Sequence, residues 1–306
     1  MMFSTLRWVV LVAFILLAIC GNVLVCLAVA TSRRLHQISS CFILSLAVTD
    51  LLLGLLVLPL SAMLELRNGR WPLGGVFCNI YISLDVMLCS ASILTLLAIS
   101  VDRYLAISNP FCYPRRVTPR RVAITLTAIW TCSLAVSFVS INLGWNTPDF
   151  RVHNLDWDMW DEGEEGRTCR YEWNNNYVLL KAFLIFYLPL LVMCGMYHRI
   201  FCVVRRIRAT TPSFAQAANA VATAREHKAA VTLATVLGAF THPNKLTDSI
   251  VLWLGYLNSA LNPILYPALN RDFRQACGQL LCCRRSNQGE LSFYIRLHTF
   301  KFIFEK

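Results

Sequence analysis

Residues 76–104 read VFCNIYISLDVMLCSASILTLLAISVDRY, and this stretch decides the fold of the chain. Val76–Ser100 carries a single formally charged residue, Asp85. A helix rises about 1.5 Å per residue, so roughly 20 apolar residues cross the ~30 Å hydrocarbon core of a bilayer. Backbone N–H and C=O groups find no water there, and a helix pairs them within one segment. The stretch therefore predicts a membrane-spanning helix.

Five more stretches of the chain have this character, with at most one charged residue each. They are Trp8–Ala30, Cys41–Leu64, Val122–Trp145, Tyr177–Tyr197 and Ser249–Leu269. The composition agrees, because 57% of all residues are hydrophobic and only 15% are charged. Soluble domains carry about a quarter charged residues. The sequence therefore predicts an all-α, polytopic membrane protein.

Another apolar stretch, Ala229–Phe240, has only twelve residues, which make about 18 Å of helix. The polar residues 241–248 that follow cannot lie in lipid. We count this stretch as a truncated sixth span and number the seven spans in chain order. An amphipathic stretch, Asp272–Leu281, predicts a short eighth helix. The predicted domains are a seven-helix bundle over residues 1–281 and a tail over residues 282–306.

Basic residues predict how the bundle lies in the membrane. They concentrate in the connections after the first, third and fifth spans and after the seventh, whereas connection 146–176 has eight acidic residues against three arginines. Positively charged connections stay in the cytoplasm, so we expect the N-terminus outside and the C-terminus inside. The net charge of +11 then reflects topology and contact with anionic lipid, and it does not indicate nucleic-acid binding.

Four of the thirteen cysteines lie outside the apolar cores of the spans in informative places. Cys78 begins the third span at its outer edge, and Cys169 lies in the acidic connection. In the oxidising exterior these two can form a disulfide, and two free thiols are the alternative. Cys282 and Cys283 follow the amphipathic stretch. Cysteines next to a membrane are candidates for palmitoylation, and unmodified thiols are the alternative.

Two charged residues lie within the outer halves of spans, where an ionisable group is costly unless it faces the interior. Asp85 is seven residues after Cys78, which is two turns or roughly 10 Å below the surface. A buried carboxylate without a basic partner tends to take a proton, so a cationic ligand is favoured over a hydrogen bond between helices. Lys181, about one turn into the fifth span, either extends to the outer surface or points into the same pocket.

A second polar group is expected near the middle of the membrane. The second span carries Asp50, the third carries Ser92, and the seventh carries Asn258, Ser259 and Asn262. Oxygens of these types at one depth can hold a small hard cation or a cluster of waters. A hydrogen-bonded network without an ion is the alternative. A sodium ion here is the only cofactor or metal that we consider.

A possible switch lies at the cytoplasmic end of the third span. Asp102 and Arg103, which precede Tyr104, can pair locally, or Arg103 can reach another helix, where Glu226 is the obvious partner. An ionic contact that breaks between two helices is a bistable element. In the seventh span a proline kink separates Asn262 from Tyr266, whose hydroxyl lies one turn beyond the kink.

Together these motifs resemble the rhodopsin-like G-protein-coupled receptors. Asp85 at its spacing from Cys78 resembles their aminergic branch. Stretches such as Leu51–Pro59, Phe77–Cys89 and Trp253–Tyr266 are similar to the type-2 histamine receptors. The motifs that carry the family resemblance are Gly21-Asn22-Val23, Leu46-Ala47-Val48-Thr49-Asp50, Asp102-Arg103-Tyr104, Trp130, Pro189 and Asn262-Pro263-Ile264-Leu265-Tyr266.

The resemblance implies a receptor in the plasma membrane that binds a biogenic amine and signals through a heterotrimeric G protein. The type-2 histamine branch implies the stimulatory G protein and cyclic AMP, and the family implies sodium at the Asp50 group. No enzyme is expected, because no span pairs a nucleophile with a base and no phosphate loop or metal spacing occurs. The amine pocket is expected to comprise Asp85, Cys89, Lys181, Ile185, Phe186, Trp253 and Tyr256.

The chain departs from the histamine-binding pattern in the fifth span. That pattern offers an Asp and a Thr, one turn apart, to the imidazole ring, and here the two positions are Lys181 and Ile185. A lysine cannot accept a hydrogen bond, and an isoleucine has no polar group. We expect another amine, one that carries an acceptor or carboxylate for Lys181.

The second departure concerns the sixth span. This span lacks the Cys-Trp-x-Pro motif of the family, and the outer half of the helix is also absent. The tail from Ser292 also departs from the family. A skipped or mispredicted exon, a splice form and a degraded gene are the three explanations. The alternative function is therefore a receptor form that does not signal and acts as a decoy or as the dimerisation partner of a complete receptor.

Overall fold

The computed structural model describes residues 2–67, 69–147, 155–159, 165–169, 175–210 and 245–281. The predictions about the truncated sixth span, Glu226, the lipidation of Cys282 and Cys283, and the tail from Ser292 lie outside these residues. They stay predictions.

Six long helices and a shorter one make up the described part of the bundle. Their bounds are Met2–Thr31, Ser40–Leu66, Gly74–Ser108, Pro119–Asn142, 175–210, Lys245–Leu269 and Arg271–Leu281. Short helical turns in the connections are Arg33–Leu35 and Tyr113–Arg116. Within the described residues, five helices, the first five in chain order, are long and apolar enough to cross a membrane. The predicted all-α membrane fold is confirmed.

One β-hairpin lies among the helices, with Leu155–Met159 antiparallel to Glu165–Cys169. Cys169, its last residue, forms a disulfide with Cys78 at the start of the third span. The predicted disulfide is therefore confirmed, and it ties the hairpin to one end of the bundle. We call this the disulfide end and the opposite one the Arg103 end.

Three helices of the described part contain a π-helical segment, namely Leu53–Val57, Ala135–Val139 and Phe183–Tyr187. Pro59 and Pro189 lie two residues beyond the first and the third of these segments. A proline has no N–H for the helical ladder, and its ring crowds the preceding turn. A π turn accommodates both effects. The wider turn also rotates the following helix, and it thereby changes which side chains face the bundle interior.

The first and seventh spans approach each other closely where a glycine faces a proline. A Cβ atom at Gly21 would lie only 2.7 Å from Cγ of Pro263, so a larger residue does not fit without a shift. Beside it, Asn22 donates from Nδ2 to the backbone carbonyls of Ala18 at 2.8 Å and Ser259 at 3.3 Å. These contacts hold the seventh span so that its polar residues reach the second and third spans.

The short helix Arg271–Leu281 packs against the Arg103 end of the bundle. Its buried Phe273 stacks on Tyr266 of the seventh span, with ring centroids 5.4 Å apart. From the connection after the first span, Arg34 donates through Nη1 to Oε1 of Gln275 at 2.7 Å. The predicted eighth helix is confirmed, and it is held from two sides.

Candidate functional site

Asp85 is a partly buried carboxylate of the third span, seven residues beyond the disulfide-bonded Cys78. Tyr256 of the seventh span donates its hydroxyl to Oδ1 of Asp85 at 2.9 Å. Cys89, one turn further along the third span, donates its thiol to the same oxygen at 3.6 Å. Among the described residues, none donates a hydrogen bond to Oδ2, so this oxygen can accept a further donor.

A series of hydrogen-bonded hydroxyl groups leads to Asp85. The Tyr256 hydroxyl lies 3.2 Å from Oγ of Ser61 in the second span. Ser61 in turn lies 2.8 Å from the hydroxyl of Tyr81, one turn before Asp85 in the third span. All three side chains are buried. The chain therefore ties the second, third and seventh spans together and fixes the direction of the bond from Tyr256 to Asp85.

Lys181 of the fifth span faces the interior of the bundle. It is partly buried, whereas its neighbours Leu180 and Leu184 are 58% and 47% exposed. The ammonium of Lys181 and the carboxylate of Asp85 attract each other electrostatically. Lys181 therefore brings a positive charge to the interior face of the fifth span.

Three further predicted pocket residues lie on the fifth and seventh spans. Ile185 and Phe186 are partly buried in the π segment of the fifth span. Trp253 of the seventh span meets Tyr256 edge-to-face, with ring centroids 5.6 Å apart, and it meets Phe14 of the first span in the same way at 5.6 Å. Trp253 thus packs against the tyrosine that donates to Asp85. Ile185 has no polar group, so it contributes an apolar wall.

Asp50 is the centre of the second polar group, and it is fully buried. Ser92 donates to its Oδ1 at 3.2 Å, and Asn262 donates from Nδ2 to its Oδ2 at 2.6 Å. The structure brings these three residues together as predicted from their depth. Asn258 and Ser259 make no hydrogen bond to Asp50. The side-chain oxygen of Asn258 is buried and accepts no hydrogen bond from the described residues.

At the Arg103 end, the structure shows local pairing. Nε of Arg103 lies 3.6 Å from Oδ2 of Asp102, and Asp102 is buried. Tyr113, from the helical turn in the following connection, donates its hydroxyl to Oδ1 of Asp102 at 2.7 Å. Tyr104 packs against the fifth span. The contact predicted between Arg103 and Glu226 lies outside the described residues.

The chain matches the family of 7 transmembrane receptors (rhodopsin family) over residues 21–243. It belongs to this family. The rhodopsin-family chain is therefore a receptor and not an enzyme, and it is a multi-pass protein of the plasma membrane.

Relatives of this rhodopsin-family receptor include the histamine H2 receptor of Homo sapiens, which is 50% identical over 304 residues. That alignment covers 92% of this chain and 80% of the relative. The histamine H2 receptor of Cavia porcellus is 48% identical, with 95% and 83% covered. The alpha-1A adrenergic receptor of Oryctolagus cuniculus is 34% identical, with 96% and 72% covered. The resemblance to the aminergic branch and to type-2 histamine receptors is confirmed.

Three residues of the receptor's polar groups are not singled out by the sequence, namely Ser61, Tyr81 and Tyr113. Tyr81 lies four residues before Asp85 and hence on the same helical face, which is a usable signal. Ser61 carries a hydroxyl within an apolar span. This is a weaker signal, because a serine there often bonds to its own helix. Tyr113 lies in a connection, where a polar side chain carries no signal.

Proposed function

We propose that this receptor binds a small cationic amine at Asp85 and passes the signal to a heterotrimeric G protein. The observation that carries the proposal is the geometry of the carboxylate: Tyr256 and Cys89 hold Oδ1, and no described residue donates to Oδ2. An ammonium group supplies both the missing donors and the compensating charge. The rings of Trp253 and Tyr256 offer it a cation–π contact. The relatives named for histamine support an amine.

The proposed orientation has the disulfide end outside the cell and the Arg103 end in the cytoplasm. The disulfide between Cys78 and Cys169 supports it, because such bonds form in oxidising compartments. The basic residues of the helical turn Tyr113–Arg116 lie at the other end. The amine then arrives from outside, and Arg103 faces the G protein. Resemblance to type-2 histamine receptors favours the stimulatory G protein and cyclic AMP.

Amine binding is tested by replacing Asp85 in the full chain. Asp85→Asn keeps the shape of the side chain and removes its charge, so we expect binding of a panel of radiolabelled biogenic amines to weaken by about 100-fold or more. Surface labelling of the cells checks that the variant is delivered normally. Glu65→Gln, which removes a carboxylate at the end of the second span, is the matched control. Undiminished amine binding by Asp85→Asn would overturn the pocket.

We also propose that a sodium ion binds beside Asp50. A carboxylate, a hydroxyl and amide oxygens are the ligands that hard cations use, and the unsatisfied oxygen of Asn258 lies in the same span as Asn262. Ser92 and Asn262 would coordinate the ion once their side chains rotate so that an oxygen faces it. We expect sodium chloride, compared with choline chloride, to raise the unfolding temperature of the receptor but not that of Asp50→Asn. Equal shifts in the two proteins would contradict the site.

A receptor form that does not signal is the second candidate function. It is favoured by one observation, the twelve-residue length of the apolar stretch Ala229–Phe240. A helix of about 18 Å does not cross a bilayer, and the movement of a complete span is what a switch of this kind needs. Such a form would stay inside the cell or pair with a complete receptor. Its absence from the cell surface, measured by labelling, would favour this form, and a chain that reaches the surface is tested for signalling.

A further inference from the structure

A cavity lies between the first and second spans, towards the disulfide end of the bundle. Further from that end the two helices are in close contact, because a Cβ atom at Gly54 would lie only 3.0 Å from Cγ1 of Ile19. Gly54 belongs to the π segment Leu53–Val57, and Pro59 follows that segment. The π turn and the proline redirect the second span. The helices separate beyond them, and about 360 Å³ is left between the two spans.

The walls of this cavity are almost entirely hydrocarbon. Its size falls within the range of small-molecule sites, roughly 300–1,000 Å³. Apolar walls offer water no hydrogen bonds, so an occupant with an apolar chain is favoured over water. The described residues that line the cavity are Trp8, Leu11, Val12 and Ile15 on the first span, and Pro59, Ala62, Met63, Leu66 and Arg67 on the second.

The cavity faces the bilayer and is separate from the amine pocket. Trp8 and Val12 on its rim are 52% and 45% exposed, and none of the residues predicted for the amine pocket lines it. Trp8 begins the apolar part of the first span, and Leu66 ends the second. From Trp8 to Ile15 the cavity follows the first span for about 10 Å. An occupant therefore extends from the edge of the hydrocarbon into it.

Arg67 supplies the charge at the edge of the cavity. It directly follows the last residue of the second span, it is exposed, and no described carboxylate forms an ion pair with it. An arginine binds phosphate oxygens through charge-assisted hydrogen bonds, often two in parallel. The occupant favoured here thus has a negative group at the edge of the bilayer and an apolar chain below it.

We propose that a phospholipid of the surrounding bilayer binds at this cavity, with one acyl chain between the first and second spans and its phosphate on Arg67. A phospholipid presents these groups in this order and at this depth, since its phosphate lies at the edge of the hydrocarbon and its chains lie within it. The bound chain joins the two spans where their own side chains do not meet. The inference does not depend on amine binding at Asp85.

A matched pair of lipids tests the role of the phosphate. The probes are palmitoyl-oleoyl phosphatidylglycerol and palmitoyl-oleoyl glycerol, which have the same two chains and differ only in the head group. Each is titrated onto the delipidated full chain in detergent, and native mass spectrometry measures the fraction of receptor that retains a lipid. We expect phosphatidylglycerol to bind about tenfold more tightly, because its phosphate gains charged hydrogen bonds from Arg67.

Variants assign the binding to this cavity. Arg67→Gln should lower the affinity for phosphatidylglycerol to that for the diacylglycerol, whereas Arg70→Gln, three residues further on and outside the cavity, should keep the difference. Val12→Trp places a large side chain in the cavity and should weaken binding of both lipids several-fold. Val10→Trp is its matched control, because Val10 is 57% exposed on the same helix and does not line the cavity.

The contrary outcomes are distinct. If both lipids bind equally, or if Arg67→Gln leaves their difference intact, Arg67 does not hold the phosphate and the proposal is wrong. Equal effects of Val12→Trp and Val10→Trp would show that the chain lies elsewhere on the receptor. Oleate is titrated in parallel, and if it binds more tightly than phosphatidylglycerol, the occupant is a free fatty acid and not a phospholipid. Arg67→Gln changes an exposed side chain, so its comparison decides the proposal even where Val12→Trp does not fold.

Discussion

Asp102 is a buried carboxylate that contacts two side chains of the described residues, Arg103 and Tyr113. The Tyr113 hydroxyl donates to Oδ1 at 2.7 Å, while Arg103 reaches Oδ2 at 3.6 Å. Tyr113→Phe removes the better of these contacts and keeps the ring. A hydrogen bond to a charged group contributes about 1.5–3 kcal/mol, and Tyr113 is only partly buried, so we expect a loss near 1.5 kcal/mol. Thermal unfolding of the solubilised receptor measures it.

The control and the pH dependence follow from the same contact. Tyr104→Phe removes a neighbouring hydroxyl that has no hydrogen-bond partner in the described structure, so it should leave the unfolding temperature unchanged. Burial, and then the bond to Asp102, raise the pKa of Tyr113 above its ordinary value. Its contribution is therefore complete below the ordinary tyrosine pKa of about 10 and is lost as the pH rises through the raised pKa. Equal unfolding temperatures for Tyr113→Phe and Tyr104→Phe would show that this bond does not stabilise the receptor.

The hydrogen-bond partners of single residues were predictable where the membrane leaves few polar groups to pair with. Asp50, Ser92 and Asn262 lie at one depth in lipid, where polar groups must find one another, and the structure joins them. Asn258 lies one turn before Asn262 on the same helical face, yet its side-chain oxygen accepts no hydrogen bond from the described residues, and depth alone does not predict this difference. Tyr113 lies in a connection, where water is an equally good partner for its hydroxyl, so nothing in the sequence marks it.

Contact between whole helices depends on the groove at Gly21. Gly21→Ala would put a methyl group 2.7 Å from Cγ of Pro263, so the first and seventh spans must separate. Overpacking of this kind costs about 1–3 kcal/mol, and we expect the unfolding temperature of the receptor to fall accordingly. Gly195→Ala is the matched control on the fifth span, because a Cβ there meets nothing within 4 Å. A similar effect of both substitutions would exclude the groove as the cause.

The helices as units were predictable to within a few residues where they lie in lipid. The second span was predicted over Cys41–Leu64 and is found over Ser40–Leu66. The third, predicted over Val76–Ser100, continues to Ser108, because a helix does not have to end where its apolar stretch ends. The π segments were not predicted. Proline marks two of them, but Ala135–Val139 has no such signal, since a wider turn depends on packing against neighbouring spans.

The bundle as a whole must cross the membrane seven times to carry a signal, and the twelve residues of Ala229–Phe240 limit this. A chimera in which residues 229–248 are replaced by the matching segment of the human histamine H2 receptor supplies a complete sixth span. We expect its maximal cyclic AMP response to amines to exceed that of the unaltered chain several-fold, because about 18 Å of helix cannot move as a full span does.

Replacing Asp85 in the chimera tests whether its response depends on this chain's own amine pocket or comes from the foreign segment alone. The chimera that also carries Asp85→Asn should stay silent at amine concentrations that activate the chimera itself. Equal responses of the chimera and the unaltered chain would mean that the short span is sufficient, and the non-signalling form would then be excluded. A silent, surface-delivered chain that still binds amines through Asp85 would instead favour a decoy, since binding needs the pocket alone whereas signalling needs all seven spans to move together.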